Sequence, residues 1–149
     1  MAVVLAVLAL LQPAAAMASS CLARAAQLAG VEVELILAMT YVETGWRQGA
    51  VNGANGNGTE DICMMQINSI HYPRLAAIGV TREQLLADRC VCLLVGGQIL
   101  REMRAATGGT DIWSAIAAYN AGPNNLEAGR AYAARVRRVY EAIHIIQTQ

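Results

Sequence analysis

Apolar residues recur along most of the chain at three- and four-residue spacing, the period of a helix with one buried face. Val33–Thr44 shows it most clearly: Leu35, Ile36, Met39 and Val42 keep the spacing and Gly45 ends the run. Ahead of it, residues 21–29 read as a short Ala-rich helix closed by Gly30. Residues 46–61, WRQGAVNGANGNGTED, lose the period and form a long Gly/Asn-rich loop, a kind of segment that often carries function. Residues 62–70 are apolar with Gln66 and Asn68 set among them; the run reads either as a strand or as a helix start capped by Asp61. Residues 72–78 form a short helix stopped by Gly79, and Thr81 with Gln84 makes a capping box for the next. Asp88 leads into a longer helix over 90–105, ended by Gly108-Gly109. Thr110 or Asp111 caps a helix over 112–120 that Gly122-Pro123 breaks. The last helix, 131–146, carries Tyr132, Val136, Val139, Tyr140 and Ile143 on one stripe. The pattern predicts an all-α domain, or a mainly α one with at most a minimal β element.

Length keeps this to one domain: 149 residues suffice for one compact core. Hydrophobic residues make up 56% and charged residues 15%, which excludes a disordered chain. Eleven basic residues, all of them Arg, balance eleven acidic ones. With a pI near 6.7 there is no electrostatic footprint for nucleic acid. Residues 1–18, MAVVLAVLALLQPAAAMA, read as a signal peptide, with Ala16-Met17-Ala18 as the cleavage site and Ser19 as the new N-terminus. The apolar run 1–11 is too short to span a bilayer, which takes about 20 residues, and it lacks a basic n-region; an uncleaved anchor is the alternative. Beyond it, residues 91–100 are the most apolar stretch and read as a buried helix. The expected domain is therefore 19–149.

Export changes the meaning of Cys21, Cys63, Cys90 and Cys92, which in an exported small domain point to disulfides. Cys90 and Cys92 face nearly opposite ways on a helix and take different partners. Two connectivities remain: Cys21–Cys90 with Cys63–Cys92, or Cys21–Cys92 with Cys63–Cys90. The spacing does not suit zinc, and the loop 52–61 fails the EF-hand register, so no metal is expected.

Three segments carry candidate chemistry. In Ala38-Met39-Thr40-Tyr41-Val42-Glu43-Thr44-Gly45-Trp46, Glu43 shares a face with Met39 and Ile36. Desolvation on such a face raises a carboxyl pKa, as a general acid at neutral pH requires. A solvent-facing Glu at a helix end is the plainer alternative. In Asp61-Ile62-Cys63-Met64-Met65-Gln66-Ile67-Asn68, the amides of Gln66 and Asn68 can face a sugar or be satisfied by backbone. In Ala117-Ala118-Tyr119-Asn120-Ala121-Gly122, a Tyr hydroxyl and an Asn amide can orient a carboxyl, or be a buried Tyr and a cap.

Together, in this order and spacing, the Glu followed by a small hydroxyl residue, then Met-Gln-Ile-Asn, then Ala-Tyr-Asn-Ala-Gly resemble the catalytic domain of lytic transglycosylases. These are lysozyme-like enzymes that cut peptidoglycan, and the resemblance covers residues 19–146. It is nearest to the small exported versions that accompany secretion, conjugation and pilus systems, which share a Cys before the first helix and Asp-x-Cys entering the long one, here Cys21 and Asp88-Arg89-Cys90. The resemblance implies Glu43 as the sole catalytic acid/base, with Thr44, where Ser is usual, as a substrate-binding residue beside it. It implies Met65 and Gln66 lining the sugar cleft and Asn120 beside Tyr119, whose hydroxyl orients the catalytic carboxyl. Two departures stand out: Cys63 replaces a usual Gly and Cys92 a common Asn. Two unusual cysteines imply a mutual bridge, hence Cys63–Cys92 beside Cys21–Cys90. The departure also puts the local backbone at Cys63 in question, since Gly reaches conformations that Cys does not.

Cleavage usually uses two carboxylates, and here only Glu43 matches a family position. The resemblance implies that the substrate's N-acetyl group supports the cation, and that Glu43 then takes the proton of the muramoyl 6-hydroxyl, closing a 1,6-anhydro end. Glu60 or Asp61 holding a water would make the product hydrolytic, a muramidase on the same fold. A non-catalytic protein that binds wall or partner is the third reading. Expected partners are peptidoglycan strands and a component of a secretion, conjugation or pilus machine; the location is periplasmic, the state monomeric, and no cofactor is implied. Asn57-Gly58-Thr59 is a glycosylation sequon. Arg130, Arg135, Arg137 and Arg138 form a basic patch on the last helix, read first as a solvated face, and His71 and His144 show no acid or metal partner.

Overall fold

The computed structural model describes residues 14–147, and their side chains over 20–146. The element order is α1 (Ala14–Ala29), α2 (Val33–Thr44), β1 (Val51–Asn52), β2 (Asp61–Ile62), β3 (Ile67–Asn68), a 3-10 turn (Ser69–His71), α3 (Tyr72–Ala76), α4 (Arg82–Ala87), α5 (Arg89–Ala106), α6 (Ile112–Ala121) and α7 (Leu126–Gln147). The mainly α expectation holds, with one very small sheet. Among the described residues no single helix is long and apolar enough to cross a membrane.

Local signals set most helix ends. Gly45 caps α2 in the left-handed conformation and its N–H bonds back to the Tyr41 carbonyl at 2.8 Å. Thr81 and Gln84 form the reciprocal capping box of α4. Asp88 accepts from the Cys90 and Val91 amides to start α5, and Asp111, not Thr110, caps α6. Two helix starts differ from expectation, the first helix beginning at Ala14 rather than Cys21. Residues 1–13 of the expected leader lie outside the described residues, and its residues 14–18 belong to α1. The last helix starts at Leu126 rather than 131, because Gly129 does not interrupt it. That glycine instead lets α7 approach α6, since a Cβ there would stand 2.1 Å from the Ala117 carbonyl oxygen.

Helix α5 runs through the middle, against α1 on one side and α6 on another, and α7 closes over α2 and α6. Its Gly97 lies so close to α1 that a Cβ would meet the Ala25 oxygen at 2.5 Å. Ile36, Met39, Leu93, Leu100, Ile116 and Val136 are fully buried between these helices. Burial of each such side chain contributes about 1.5–3 kcal/mol.

The ambiguous run 62–70 resolves into two short strands around a tight turn. β2 pairs antiparallel with β1 (Val51 with Ile62, Asn52 with Asp61) and with β3 (Asp61 with Asn68, Ile62 with Ile67). The turn between β2 and β3 has two non-glycine residues at positive φ, Cys63 at 59° and Gln66 at 48°. Cys63 therefore keeps a backbone that suits glycine, at a cost of roughly 1–3 kcal/mol. Its N–H donates to the Ala50 carbonyl at 2.8 Å and its side chain is bonded to Cys92. The bridges are Cys21–Cys90 and Cys63–Cys92, with Cα separations of 5.3 and 6.3 Å. The first ties α1 to the start of α5, and the second ties the turn to α5.

Candidate active site

A cleft of about 860 Å³ opens between the small sheet, the last turn of α2, α5, the end of α6 and α7. Glu43 reaches it from the last turn of α2, half-buried. Loss of solvent raises its carboxyl from 4.5 to about 7; the nearby Asp61 charge pushes the same way, and Tyr132 and Arg135 oppose. The Tyr132 hydroxyl, on α7, donates to Glu43 Oε1 at 2.5 Å. Oε1 being an acceptor, the other carboxyl oxygen is left to carry the proton.

Asp61, on β2, faces the same cleft. Its Oδ1 accepts from the Asn68 amide and its Oδ2 from the Asn55 amide, both at 2.7 Å. Thr59 accepts from both amides as well, so the loop and strand form one polar wall. Glu60, one residue earlier, turns to the other side. It accepts from Arg82 Nε at 2.6 Å and Nη2 at 2.9 Å, and from the Tyr72 hydroxyl at 3.0 Å, and the Arg82 contact holds its carboxyl below the usual range.

The turn 63–66 is held from three directions. The Thr44 hydroxyl donates to the Met64 carbonyl at 3.3 Å, the Tyr119 hydroxyl donates to the Met65 carbonyl at 2.8 Å, and the Gln66 amide closes on the Cys63 carbonyl at 3.1 Å. Tyr119 and Tyr132 both lie in apolar surroundings that raise their hydroxyl pKa well above 10, so each is a proton donor at neutral pH.

Residues 20–139 match the family model described as the Transglycosylase SLT domain. The chain belongs to this family. It is similar to the invasion protein IagB of Salmonella typhimurium (strain SL1344), with 35% identity over 127 residues, covering 84% of this chain and 78% of that protein. It is also similar to the protein IpgF of Shigella flexneri, at 32% over 124 residues (82% and 80%), and to an Escherichia coli X polypeptide, at 32% over 119 residues (76% and 68%).

Within this SLT domain, Glu43, Gln66, Tyr119 and Asn120 all line the cleft. Two implied roles change. Tyr119 lines the cleft, but its hydroxyl is spent on the Met65 carbonyl, and Tyr132 is the residue bonded to Glu43. Met65 is fully buried instead of lining the cleft, because Gly96 of α5 leaves its thioether a seat where a Cβ would stand 2.6 Å from Cε. Thr44 is largely buried, lines a smaller hollow with Glu43 and Gln66, and its hydroxyl joins α2 to the turn.

In the sequence Tyr132 shows only as part of an apolar stripe. A tyrosine on a buried stripe must still find a partner for its hydroxyl, and that need is the signal the sequence carries. The Arg patch does not act as one surface: Arg135 enters the cleft, Arg137 lies over the Trp113 ring at 4.3 Å, and Arg130 pairs with Glu127 at 2.6 Å. His144 does have an acid partner, Glu32 Oε2 at 2.9 Å, and His71 Nδ1 accepts from Arg74.

Proposed function

We propose that this domain is a peptidoglycan lytic transglycosylase, cutting the β-1,4 bond between N-acetylmuramic acid and N-acetylglucosamine and leaving 1,6-anhydro ends. The observation that carries the reading is Glu43 held near neutral pKa in a polar-walled cleft, with one oxygen fixed by Tyr132. Protonated Glu43 donates to the glycosidic oxygen as the C–O bond breaks. The cation is supported by the substrate's N-acetyl group. The carboxylate so formed takes the proton of the muramoyl 6-hydroxyl, whose oxygen attacks the anomeric carbon and closes the ring without water. Glu43 returns to its acid form, so one residue serves both steps. Asn120 presents its amide to the sugar, Gln66 offers the amide oxygen that its bond to the Cys63 carbonyl leaves unused, and Arg135 supplies positive charge beside the site.

A hydrolytic outcome is the second reading, favoured by one observation: Asp61 is a carboxylate fixed by two amides on the same cleft as Glu43. Glu60 has no part in it, being tied to Arg82. In the lyase reading the Asp61 charge serves to support the developing cation and to hold Glu43 protonated. The proposal extends to residues 1–18 as a leader, to 19–149 as a monomeric domain in the periplasm, and to local wall opening for a secretion, conjugation or pilus apparatus. The name of the relative IagB, an invasion protein, supports that last part. The test is mass spectrometry of soluble muropeptides released from purified peptidoglycan by the wild type, Glu43→Gln and Asp61→Asn. Anhydro ends from the wild type, none from Glu43→Gln and fewer anhydro ends from Asp61→Asn are expected. Reducing ends that disappear with Asp61→Asn would move the assignment to a hydrolase.

A further inference from the structure

A second cavity, of about 710 Å³, lies where the end of α1 meets the last turns of α5. Three arginines line it, Arg24 from α1 and Arg101 and Arg104 from α5, and no carboxylate does. Arg104 is fixed in place: its Nε donates to the Gly109 carbonyl at 3.0 Å and its Nη1 to the Gly30 carbonyl at 2.8 Å. Both acceptors are neutral, so the guanidinium charge is oriented but not compensated. Arg24 and Arg101 are exposed and make no ion pair or hydrogen bond with the described residues. In a chain whose eleven basic and eleven acidic residues cancel, three cations around one cavity are a local excess. Leu28, 37% exposed, and Ala105 add an apolar floor between them.

We propose that this pocket docks an acidic, partly apolar peptide segment of a partner protein. Guanidinium groups pair with carboxylates through two parallel hydrogen bonds, and a fixed Arg104 flanked by two free arginines offers such pairing on both helices. The apolar floor suits a segment in which acidic and aliphatic side chains are interspersed. The cavity size falls within the roughly 300–1,000 Å³ of binding pockets. Position favours a protein over the wall itself. Ile99 and Met103 of α5 face the cleft, while Arg101, Arg104 and Ala105 face this pocket, and the two cavities share no lining residue. Helix α5 thus stands between a glycan strand in the cleft and the arginines, so the domain can be tethered while its cleft stays open. The inference goes beyond the lyase reading and stands whether or not Glu43 cleaves glycan.

The experiment is fluorescence anisotropy with a fluorescein-labelled peptide of alternating Glu and Leu, titrated with the oxidised protein. Arg24→Ala/Arg101→Ala removes two exposed, unpartnered cations and leaves Arg104 and the fold in place. Its affinity should fall about ten-fold or more. Arg137→Ala/Arg138→Ala, on α7, should stay within about two-fold, and muropeptide release should be unchanged in both double variants. Equal affinity of the wild type and Arg24→Ala/Arg101→Ala, or no binding of the peptide at low salt, would overturn the proposal. So would soluble muropeptides displacing the probe at lower concentration than the unlabelled peptide, which would assign the pocket to the wall.

Discussion

Replacing Glu43 by Gln should abolish turnover and, from about pH 5 upward, make the protein more stable. Burial raises the folded-state pKa from 4.5 to about 7, so between these values the folded chain binds the extra proton and the unfolded chain releases it. Stability therefore falls as pH rises through this window, and the cost is complete above the folded pKa. At about 1.4 kcal/mol per pKa unit, ionised Glu43 costs the native state about 3 kcal/mol. Gln is neutral at every pH, has the same shape, and keeps an oxygen to accept from Tyr132. The gain from Glu43→Gln should be near zero at pH 4 and grow to about 3 kcal/mol by pH 9. Urea unfolding of the oxidised proteins across this range, followed by the fluorescence of Trp46 and Trp113, reads the difference directly. A gain that does not change with pH would refute the argument, because it would mean that the Glu43 carboxyl titrates alike in both states.

Two substitutions should move the alkaline limb of the pH–rate profile in opposite directions. Tyr132→Phe removes the hydrogen bond that favours the carboxylate, so the limb should rise in pH while kcat falls; Asp61→Asn removes a like charge, so the limb should move down, and an unmoved limb in either would remove that residue from the site. Glu60→Gln should leave both kcat and the profile as they are, since its carboxyl serves Arg82 and Tyr72; a loss as large as that of Asp61→Asn would mean Glu60 reaches the cleft. Tyr119→Phe should leave the limb in place but cost about 1–3 kcal/mol in urea unfolding, because the buried Met65 carbonyl loses its donor. The purified oxidised protein should weigh two hydrogens less per bridge than the reduced chain for each of Cys21–Cys90 and Cys63–Cys92, and thiol labelling without reductant would contradict this.

The parts that sequence reveals here are those set by neighbours along the chain. Gly45, the Thr81–Gln84 box and the caps Asp88 and Asp111 each act within one helical turn, and the structure has them as expected. The run 62–70 reads ambiguously in the sequence because strands of two residues hold no period to detect. The same gap hid the difference between Glu60 and Asp61: successive residues entering a strand point to opposite faces, and that fact helps only once the strand is known. Tyr132 lies 89 residues from Glu43, and no local pattern joins them. Met65 departs from its implied place for a tertiary reason too, since its seat exists only where Gly96 crosses behind it. Spacing alone allows two pairings, and it is the family resemblance that implies Cys63–Cys92.

Digestion of purified peptidoglycan in water labelled with heavy oxygen tests the central claim most directly. Intramolecular attack by the 6-hydroxyl, with Glu43 as acid and then base, predicts muropeptides lighter by one water and free of label, and none from Glu43→Gln. Heavy oxygen at the new anomeric carbon would contradict it, because water would then be the nucleophile.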